Sequence, residues 1–330
     1  MKIKTDKRIA LYRTSDGHAE VYTDLYPRQV FWDLFDYLKP TDTEDCYNVL
    51  ILAGDMFKLV RFSLAAQVLS KVLERFDAVA YIPGNHEYYG STFCDHLVKA
   101  KALFSTVPGL HFLDNSTLTI DSPHGDVAIV GSTLWADLSD SKEAEYVSRY
   151  LGQGVFQFKD FKVIRTRNSG RTGRSRIKPC DLTIHHRKSV RFIFDEVDRH
   201  KEDGKTVVVA THHSPSLKSA SHFAAGTPEK HKNVIRKLNA IGVIPTFTGK
   251  EGEHDFNPSY LKIGSRLYVS DLDEKILEHK PDFWVHGHIH DKIHYRIGET
   301  DISSDPQGYL DRRKTLNPVR SALSAFFISN

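Results

Sequence analysis

The stretches NVLILAGD (residues 48–55) and AVAYIPGNHE (residues 78–87) decide the fold of this chain. Each is a short apolar run that ends in glycine and then a polar residue, Asp55 in the first and Asn85 in the second. A continuous apolar run of this length predicts a strand that is buried on both faces, as in a parallel sheet covered by helices. Glycine allows a sharp turn directly after the strand. We therefore expect Asp55 and Asn85 at the carboxyl edge of a sheet.

Similar apolar runs recur along the chain and alternate with amphipathic stretches. Further strands are predicted at residues 9–12, 127–131, 206–210, 283–285 and 293–297, and helices at 28–39, 62–76 and 91–104. This alternation predicts an α/β protein with helices covering a parallel or mixed sheet. Because no internal repeat or break in composition is visible, we expect a single domain over residues 1–330, with insertions near residues 159–180 and 222–266.

The composition excludes several classes of protein. Apolar residues make up 40% and charged residues 26%, which argues against disorder. No apolar run approaches the roughly 18 residues that cross a bilayer, and the basic first residues lack the apolar segment of a signal peptide, so we expect no membrane partner. The three cysteines form no CxxC pair, which disfavours a thiolate zinc site and favours a cytoplasmic protein. A net charge of +3 is too small to indicate nucleic-acid binding by itself.

The 18 histidines are the unusual feature, and several of them follow predicted strands together with Asp and Asn. Ligands of open α/β sheets bind beyond the carboxyl ends of the strands. Carboxylate, amide and imidazole groups without thiolate suit Mn, Fe, Zn or Co. Seven such ligands are too many for one zinc ion and suit two metals, with a carboxylate as the bridge between them. The candidates at the five predicted strand ends are Asp16, His18, Asp55, Asn85, His212 or His213, His288 and His290.

These residues resemble the motifs of the calcineurin-like metallophosphoesterases. The family order D-x-H, GD, GNH[DE], H and GHxH is similar to Asp16–His18, Gly54–Asp55, Gly84–Glu87, His212 and Gly287–His290. Each motif alone is weak, but five motifs in this order, each after a predicted strand, are specific. The resemblance implies a four-layer α/β/β/α sandwich with a dinuclear metal site at the sheet edge.

The resemblance also implies a role for each matching residue. It implies that His86 is the catalytic residue, which contacts the substrate phosphate together with Asn85 and protonates the leaving group. Strand-end spacing favours His212 as a ligand, and His213 remains its alternative. The implied metal ligands are Asp16, His18 and His290 for the first ion, Asn85, His212 and His288 for the second, and Asp55 as the bridge.

The activity that the resemblance implies is hydrolysis of a phosphoester by two divalent metal ions, with Mn first and Fe or Zn as alternatives. We expect a phosphodiesterase that acts on a small phosphodiester or nucleotide through a metal-bridging hydroxide. A phosphomonoesterase and a metal-dependent nuclease remain open, because the same ligands serve all three and the loops select the substrate. A non-enzymatic metal-binding scaffold is disfavoured, since His86 and every ligand position are filled.

Four features stay outside this pattern. Residues 54–57 (GDMF) lack the polar residue that many relatives carry two or three positions after the GD aspartate, and residues 305–309 (DPQGY) replace the Asn and Arg of the NPRGY of similar phosphoesterases.

The segment 165–178 holds six basic residues and two glycines. It could gather phosphate or a nucleic-acid backbone over the metals, but no aromatic residue alternates with its arginines, and a solvated loop is the simpler interpretation. Trp135 could line the site, although an aromatic residue after a strand more often lies in the core.

Overall fold

The computed structural model describes residues 1–22, 35–41, 45–93, 95–138, 159–167, 173–220, 268–308, 323 and 325–327. Most of the helix predicted over residues 28–39 and all of the predicted insertion at residues 222–266 lie outside these ranges.

The strands form two mixed sheets and a separate ribbon. The five-stranded sheet has the order β14 (Ala325–Phe327), β2 (Arg8–Thr14), β3 (Cys46–Ala53), β4 (Ala78–Ile82) and β5 (Leu110–Phe112). The seven-stranded sheet has the order β1 (Lys2–Lys4), β6 (Ser116–Asp121), β7 (Val127–Ser132), β10 (Thr206–Thr211), β11 (Phe283–His286), β13 (Thr300–Ser304) and β12 (Ile293–Ile297). The ribbon pairs β8 (Arg165–Arg167) with β9 (Arg174–Arg176).

The described helices are α1 (Ala19–Tyr22), α2 (Phe62–Leu73), α3 (Asp95–Phe104), α4 (Asp160–Val163), α5 (Pro179–Glu202) and α6 (Asp273–His279), with short 3-10 turns at Leu59–Arg61, His86–Tyr88 and Leu217–Ala220. Helix α3 begins later than the predicted residue 91, because the backbone at 91–93 pairs with Arg165 instead. Helix α5 was not predicted. None of the helices in the described ranges is long and apolar enough to cross a membrane.

The two sheets pack face to face, and helices cover their outer faces. In β3, Val49 and Ile51 face the second sheet, whereas Leu50 and Leu52 contact the apolar side of α2. Both faces of the strand are therefore buried, which explains its uninterrupted apolar sequence.

The second sheet repeats this arrangement. Val208 and Ala210 of β10 face the first sheet, while Val207 and Val209 pack against a layer that includes Ile193 of α5 and residues of α6. The predicted four-layer α/β/β/α fold is thus confirmed.

The sandwich brings the ends of five parallel strands to one edge. Strands β2, β3 and β4 of the first sheet and β10 and β11 of the second end there, and their following loops are linked by hydrogen bonds. Asp16 N–H donates to Gly54 O at 2.9 Å, and Gly287 N–H donates to His212 O at 3.0 Å. The His212 ring joins the sheets, with Nδ1 2.9 Å from Ala53 O.

Candidate metal centre

One group of predicted ligands forms where β2 and β11 end. Asp16, His18 and His290 each offer a ligand atom, and these atoms lie within 4.8 Å of one another. His290 Nε2 lies 3.2 Å from Asp16 Oδ1 and 3.1 Å from His18 Nε2. Two imidazole nitrogens that converge beside a carboxylate provide the nitrogen and oxygen donors that a divalent cation uses.

A second group lies where β3, β4 and β10 end. Asp55, His212 and His288 form a compact set of ligand atoms, and the Asn85 amide oxygen lies beside them, 3.0 Å from His212 Nε2. His288 Nε2 is buried, and it has no hydrogen-bond partner among the described residues. A buried polar atom without a partner is costly. This nitrogen therefore fits an ion that would accept its lone pair.

Electrostatics keep His288 ready to bind a cation. Burial, together with the neighbouring His213 and His212, holds the pKa of His288 well below its usual value. The ring is therefore neutral, which is the form that binds a metal.

Asp55 and His212 form an ion pair in the metal-free protein. Burial acts to lower the pKa of His212, but the Asp55 carboxylate, 3.3 Å away, outweighs burial and raises this pKa to about 10. Burial acts to raise the pKa of Asp55, but His212 and His86 hold it well below its usual range. A proton therefore occupies the face of His212 that a metal would need.

Metal binding should release protons and strengthen as the pH rises. Because the pKa of His212 is raised in the folded protein, protonation of its ring stabilises the fold. This contribution is complete below the unfolded pKa of 6.5 and is lost as the pH rises through about 10. Below that pH a metal has to displace the proton, so we expect the affinity for Zn²⁺ to rise roughly tenfold per pH unit around neutrality. Calorimetric titration in buffers of different ionisation enthalpy should show at least one proton released. An affinity independent of pH, or a His212→Asn variant with the same proton release, would contradict this.

The predicted ligands occupy an uncommon backbone conformation. Asp16, His18, Asp55, His288 and His290 all have positive φ, between 46° and 72°. Non-glycine residues rarely adopt this left-handed region, and each costs of order 1–3 kcal/mol. Backbone bonds retain the geometry, since His18 N–H donates to Asp55 O at 2.9 Å and His288 N–H donates to the Asp16 carboxylate at 3.0 Å. Strain concentrated on ligand residues is typical of a functional site.

Gly54 and Gly84 leave no room for a side chain, because side chains of neighbouring residues approach their backbone closely. A Cβ on Gly54 would lie 2.6 Å from Cγ of the His212 ring, and one on Gly84 would overlap the Asp55 carboxylate. Gly54 also has a φ of 87°. The glycines of the GD and GNHE motifs thus make room for the ligands of the neighbouring strands.

Glu87 holds the two motif loops together from beneath. It is fully buried, and its carboxylate accepts hydrogen bonds from five donors, at distances of 2.7 to 3.0 Å. Burial and the nearby Asp55 raise the pKa of Glu87 to about 7. The donors are the backbone N–H groups of Asp55, Met56, Phe57 and Gly84 and the hydroxyl of Tyr81.

His86 lies beside Asp55 and has a carboxylate partner of its own. Its Nε2 is 3.8 Å from Asp55 Oδ2, and its Nδ1 is 2.7 Å from Glu20 Oε1. Sequence reasoning missed Glu20. The available signal was its spacing, since Glu20 extends the D-x-H motif to D-x-H-x-E. Burial acts to raise the pKa of Glu20, but His18 and His86 lower it to about 2, so Glu20 is ionised.

The first predicted insertion contributes a second missed residue. Asp160, on α4, accepts hydrogen bonds from Asn85 Nδ2 at 2.9 Å and from the Tyr89 hydroxyl at 2.7 Å. Its side chain is buried, and its Oδ2 has no hydrogen-bond partner in the described part of the chain. No local sequence pattern connects Asp160 with the GNHE motif.

His213 and Trp135 lie behind the ligands. His213 Nδ1 is 3.2 Å from Thr133 O. Burial, and to a smaller extent the neighbouring His212, lowers the pKa of His213 to about 3. The structure therefore brings His212, and not His213, to Asp55 and Asn85. Trp135 is 2% exposed and packs against the His213 ring, so it belongs to an aromatic cluster behind the site.

Comparison with known proteins supports the fold. No model of a known protein family matches the sequence. An uncharacterised protein of Acanthamoeba polyphaga mimivirus is 23% identical over 317 residues, which cover 94% of this chain and 95% of that protein. The crystal structure of phosphopantetheinyl hydrolase (PptH) from Mycobacterium tuberculosis matches with a TM-score of 0.60 at 14% identity, over 98% of this chain and 97% of that one. A putative 5'-nucleotidase from Staphylococcus aureus has a TM-score of 0.42 at 13% identity, over 98% of this chain and 55% of that one. The likeness to the hydrolase shows a shared fold over nearly the whole chain.

Proposed function

We propose that this chain, which has the calcineurin-like metallophosphoesterase fold, hydrolyses phosphoesters with two divalent metal ions. The observation that carries the proposal is the pair of adjacent ligand groups at one sheet edge, with the partnerless Nε2 of His288 in one of them. We assign Asp16, His18 and His290 to one ion, Asn85, His212 and His288 to the other, and Asp55 to both.

The donor set accepts several metals. Oxygen and imidazole ligands without thiolate suit Mn, with Fe and Zn as alternatives. Two such ions, when bound, polarise the phosphoryl group and make bound water acidic enough to ionise near neutral pH. The strained ligand loops and the Glu87 network hold the donors in place before any ion arrives.

His86 is proposed as the catalytic acid that protonates the leaving group. Burial acts to lower the pKa of His86, but Asp55 and the hydrogen bond to Glu20 outweigh it and raise this pKa. The ring therefore holds its proton more firmly than a free imidazole does. Glu20 fixes Nδ1 and leaves Nε2 turned towards Asp55, so Glu20 is a positioning residue.

Replacing Glu20 by glutamine should weaken the acid without emptying the metal site. We expect kcat to fall ~10-fold for diesters whose leaving alcohol is poorly acidic. The fall should be much smaller for nitrophenyl diesters, because nitrophenolate leaves without taking up a proton. The measurement compares kcat across a series of leaving groups, with metal content determined in parallel. Equal losses for all leaving groups would assign Glu20 a structural role only. Glu74→Gln, an exposed carboxylate on the same chain, serves as the control.

A specific observation favours phosphodiesters over phosphomonoesters. The Asp160 carboxylate lies against the Asn85 amide, beside the proposed metals. Burial raises the pKa of the Asp160 carboxyl, although its hydrogen bonds from Tyr89 and Asn85 act to lower it. When ionised, Asp160 repels a dianionic monoester about twice as strongly as a monoanionic diester at the same distance. We therefore propose a small phosphodiester or nucleotide as substrate, with the monoesterase and the nuclease as alternatives.

The test uses metal-free protein reloaded separately with Mn, Fe or Zn. Each form is offered an aryl phosphodiester and the matching monoester, with Asp55→Ala as the inactive control. Faster diester cleavage that disappears in the control supports the proposal, and a preference for the monoester overturns the diester assignment. Asp160→Asn should shift the ratio of kcat/KM values towards the monoester. An absence of turnover with every metal, despite metal loading, would support a scaffold.

A further inference from the structure

The β8–β9 ribbon presents four arginines on one face. The strands are antiparallel, and residues that lie directly opposite each other in such a pair share a face, as do residues two apart along a strand. The opposite pairs are Arg165 with Arg176, Arg167 with Arg174, and Thr166 with Ser175. The arginines therefore form one face, and Thr166 and Ser175 form the other. In the described residues the segment expected as a solvated loop is a two-stranded ribbon, and Arg167, Arg174 and Arg176 on it are exposed.

This arrangement is unfavourable for the isolated chain. Like charges directly opposite each other destabilise a strand pair. Asp95 Oδ1 lies 2.7 Å from Arg167, but no other described carboxylate lies within 4.0 Å of Arg165, Arg174 or Arg176. Arg174 and Arg176 are exposed, and the Arg167 side chain is 74% exposed. The face thus keeps an excess of positive charge that an anion would relieve.

The ribbon is anchored next to the metal centre. Arg165 N–H donates to Ser91 O at 3.0 Å, and Phe93 N–H donates to Arg165 O at 2.7 Å, which attaches β8 to the segment that follows the GNHE motif. Ile164 and Ile177 flank the ribbon and are buried in the aromatic cluster that also contains Tyr88 and Tyr89. The arginine face is therefore held in a set position relative to His86.

We propose that the arginine face binds the phosphodiester backbone of a nucleic-acid strand beside the metal centre. Guanidinium groups match phosphate oxygens with two parallel hydrogen bonds. Along each strand the arginines repeat every ~6.6 Å, so successive phosphates can be contacted. The face consists of guanidinium groups alone, so its contacts go to phosphates and are independent of base sequence. This inference goes beyond the proposed hydrolysis, because binding can be measured without turnover.

The test measures binding of a fluorescent oligothymidylate of about 20 nucleotides to the metal-loaded, full-length protein. Phosphorothioate linkages keep the probe intact during the titration. Because Asp95 pairs with Arg167, three arginines are counted as phosphate contacts. Three contacts predict a slope of log affinity against log salt of about −2.1, or a roughly 20-fold loss of affinity between 50 and 200 mM salt. Replacing both Arg174 and Arg176 by serine should reduce the slope to about −0.7 and the loss to roughly threefold.

A matched variant separates the ribbon from general surface charge. Lys4 and Lys7 are exposed and lie near the amino end of β2, at the opposite end of that strand from Asp16. Replacing both lysines by serine should leave the affinity within twofold of the parent protein and the salt slope unchanged. The arginine variant should unfold at no lower temperature than the parent, since it removes opposed like charges. Unchanged binding in the arginine variant, equal loss in the lysine variant, or equally tight binding of polyglutamate would overturn the proposal.

Discussion

Replacing His86 by alanine should lower kcat for phosphodiester hydrolysis by ~10²- to 10⁴-fold, the range in which general acid catalysis contributes. The proposed ligands should keep their geometry, because the contact of His86 with Asp55 Oδ1 is made by its backbone N–H at 2.8 Å and survives the substitution. Metal content should therefore stay at the level of the parent protein. A fall in kcat at unchanged metal content would therefore result from the missing acid and not from missing metal.

The measurement pairs kinetics with metal analysis across diesters of increasing leaving-group acidity. The defect should be largest for alkyl leaving groups and smallest for nitrophenolate, which needs no proton. His111→Ala provides the control, since His111 lies on β5, outside the site. A His86→Ala enzyme with parent-like activity on alkyl diesters would exclude His86 as the acid. Loss of metal from this variant would assign His86 to the metal site instead.

Replacing Glu87 by glutamine should destabilise the protein by ~3 kcal/mol, although the two side chains have nearly the same shape. The carboxylate accepts from five donors, and two of them, the Asp55 and Gly84 N–H groups, point at Oε2. An amide NH₂ in that position would face two N–H groups and leave them without acceptors, at roughly 1–3 kcal/mol each. Asp55 would shift with its loop, so the affinity for metal should fall ~10- to 100-fold as well.

Urea unfolding of the metal-free protein at pH 8 measures this effect. That pH lies above the Glu87 pKa of about 7, so the parent carboxylate is ionised and accepts all five bonds. Because this pKa is raised above its unfolded value of 4.5, the parent loses stability as the pH rises through about 7, and the difference from Glu87→Gln should be larger below pH 7 than at pH 8. Glu74→Gln is again the matched control, because it makes the same chemical change at an exposed position and should change the free energy of unfolding by less than ~0.5 kcal/mol. A Glu87→Gln variant as stable as this control would show that the network contributes nothing.

His86 and Glu87 are neighbours in the sequence, but we expect them to have separate tasks. The His86 ring lies beside the side chains of Asp55 and Glu20, whereas Glu87 is fully buried and accepts the backbone N–H groups of the loop. We expect His86→Ala to lose activity and to keep its stability. We expect Glu87→Gln to lose both stability and metal affinity. A single residue step in a 3-10 turn is enough to place the two side chains on opposite sides.

Much of the proposed site could be predicted because it is encoded locally. A buried strand appears as an unbroken apolar run, and the glycine and polar residue after it mark the edge at which the strand ends. Asp55, Asn85 and His288 follow this rule, and parallel strands bring their ends together without further information. The α/β class followed from the same pattern, whereas the four layers were implied by the resemblance to the metallophosphoesterases.

Only the tertiary structure selected among residues that the sequence left equivalent or unconnected. His212 and His213 are adjacent, and the register of β10 between β7 and β11 turns the first towards Asp55 and the second towards Thr133. Glu20 reaches His86 across the gap between two strand ends, and Asp160 reaches Asn85 from an inserted segment 75 residues further along. Short-range patterns record which face of a strand or helix is buried, but they carry no information about which distant side chains share that buried space. That pairing depends on how the sheets pack, and it determines the partners of the proposed catalytic histidine and of the proposed metal ligands.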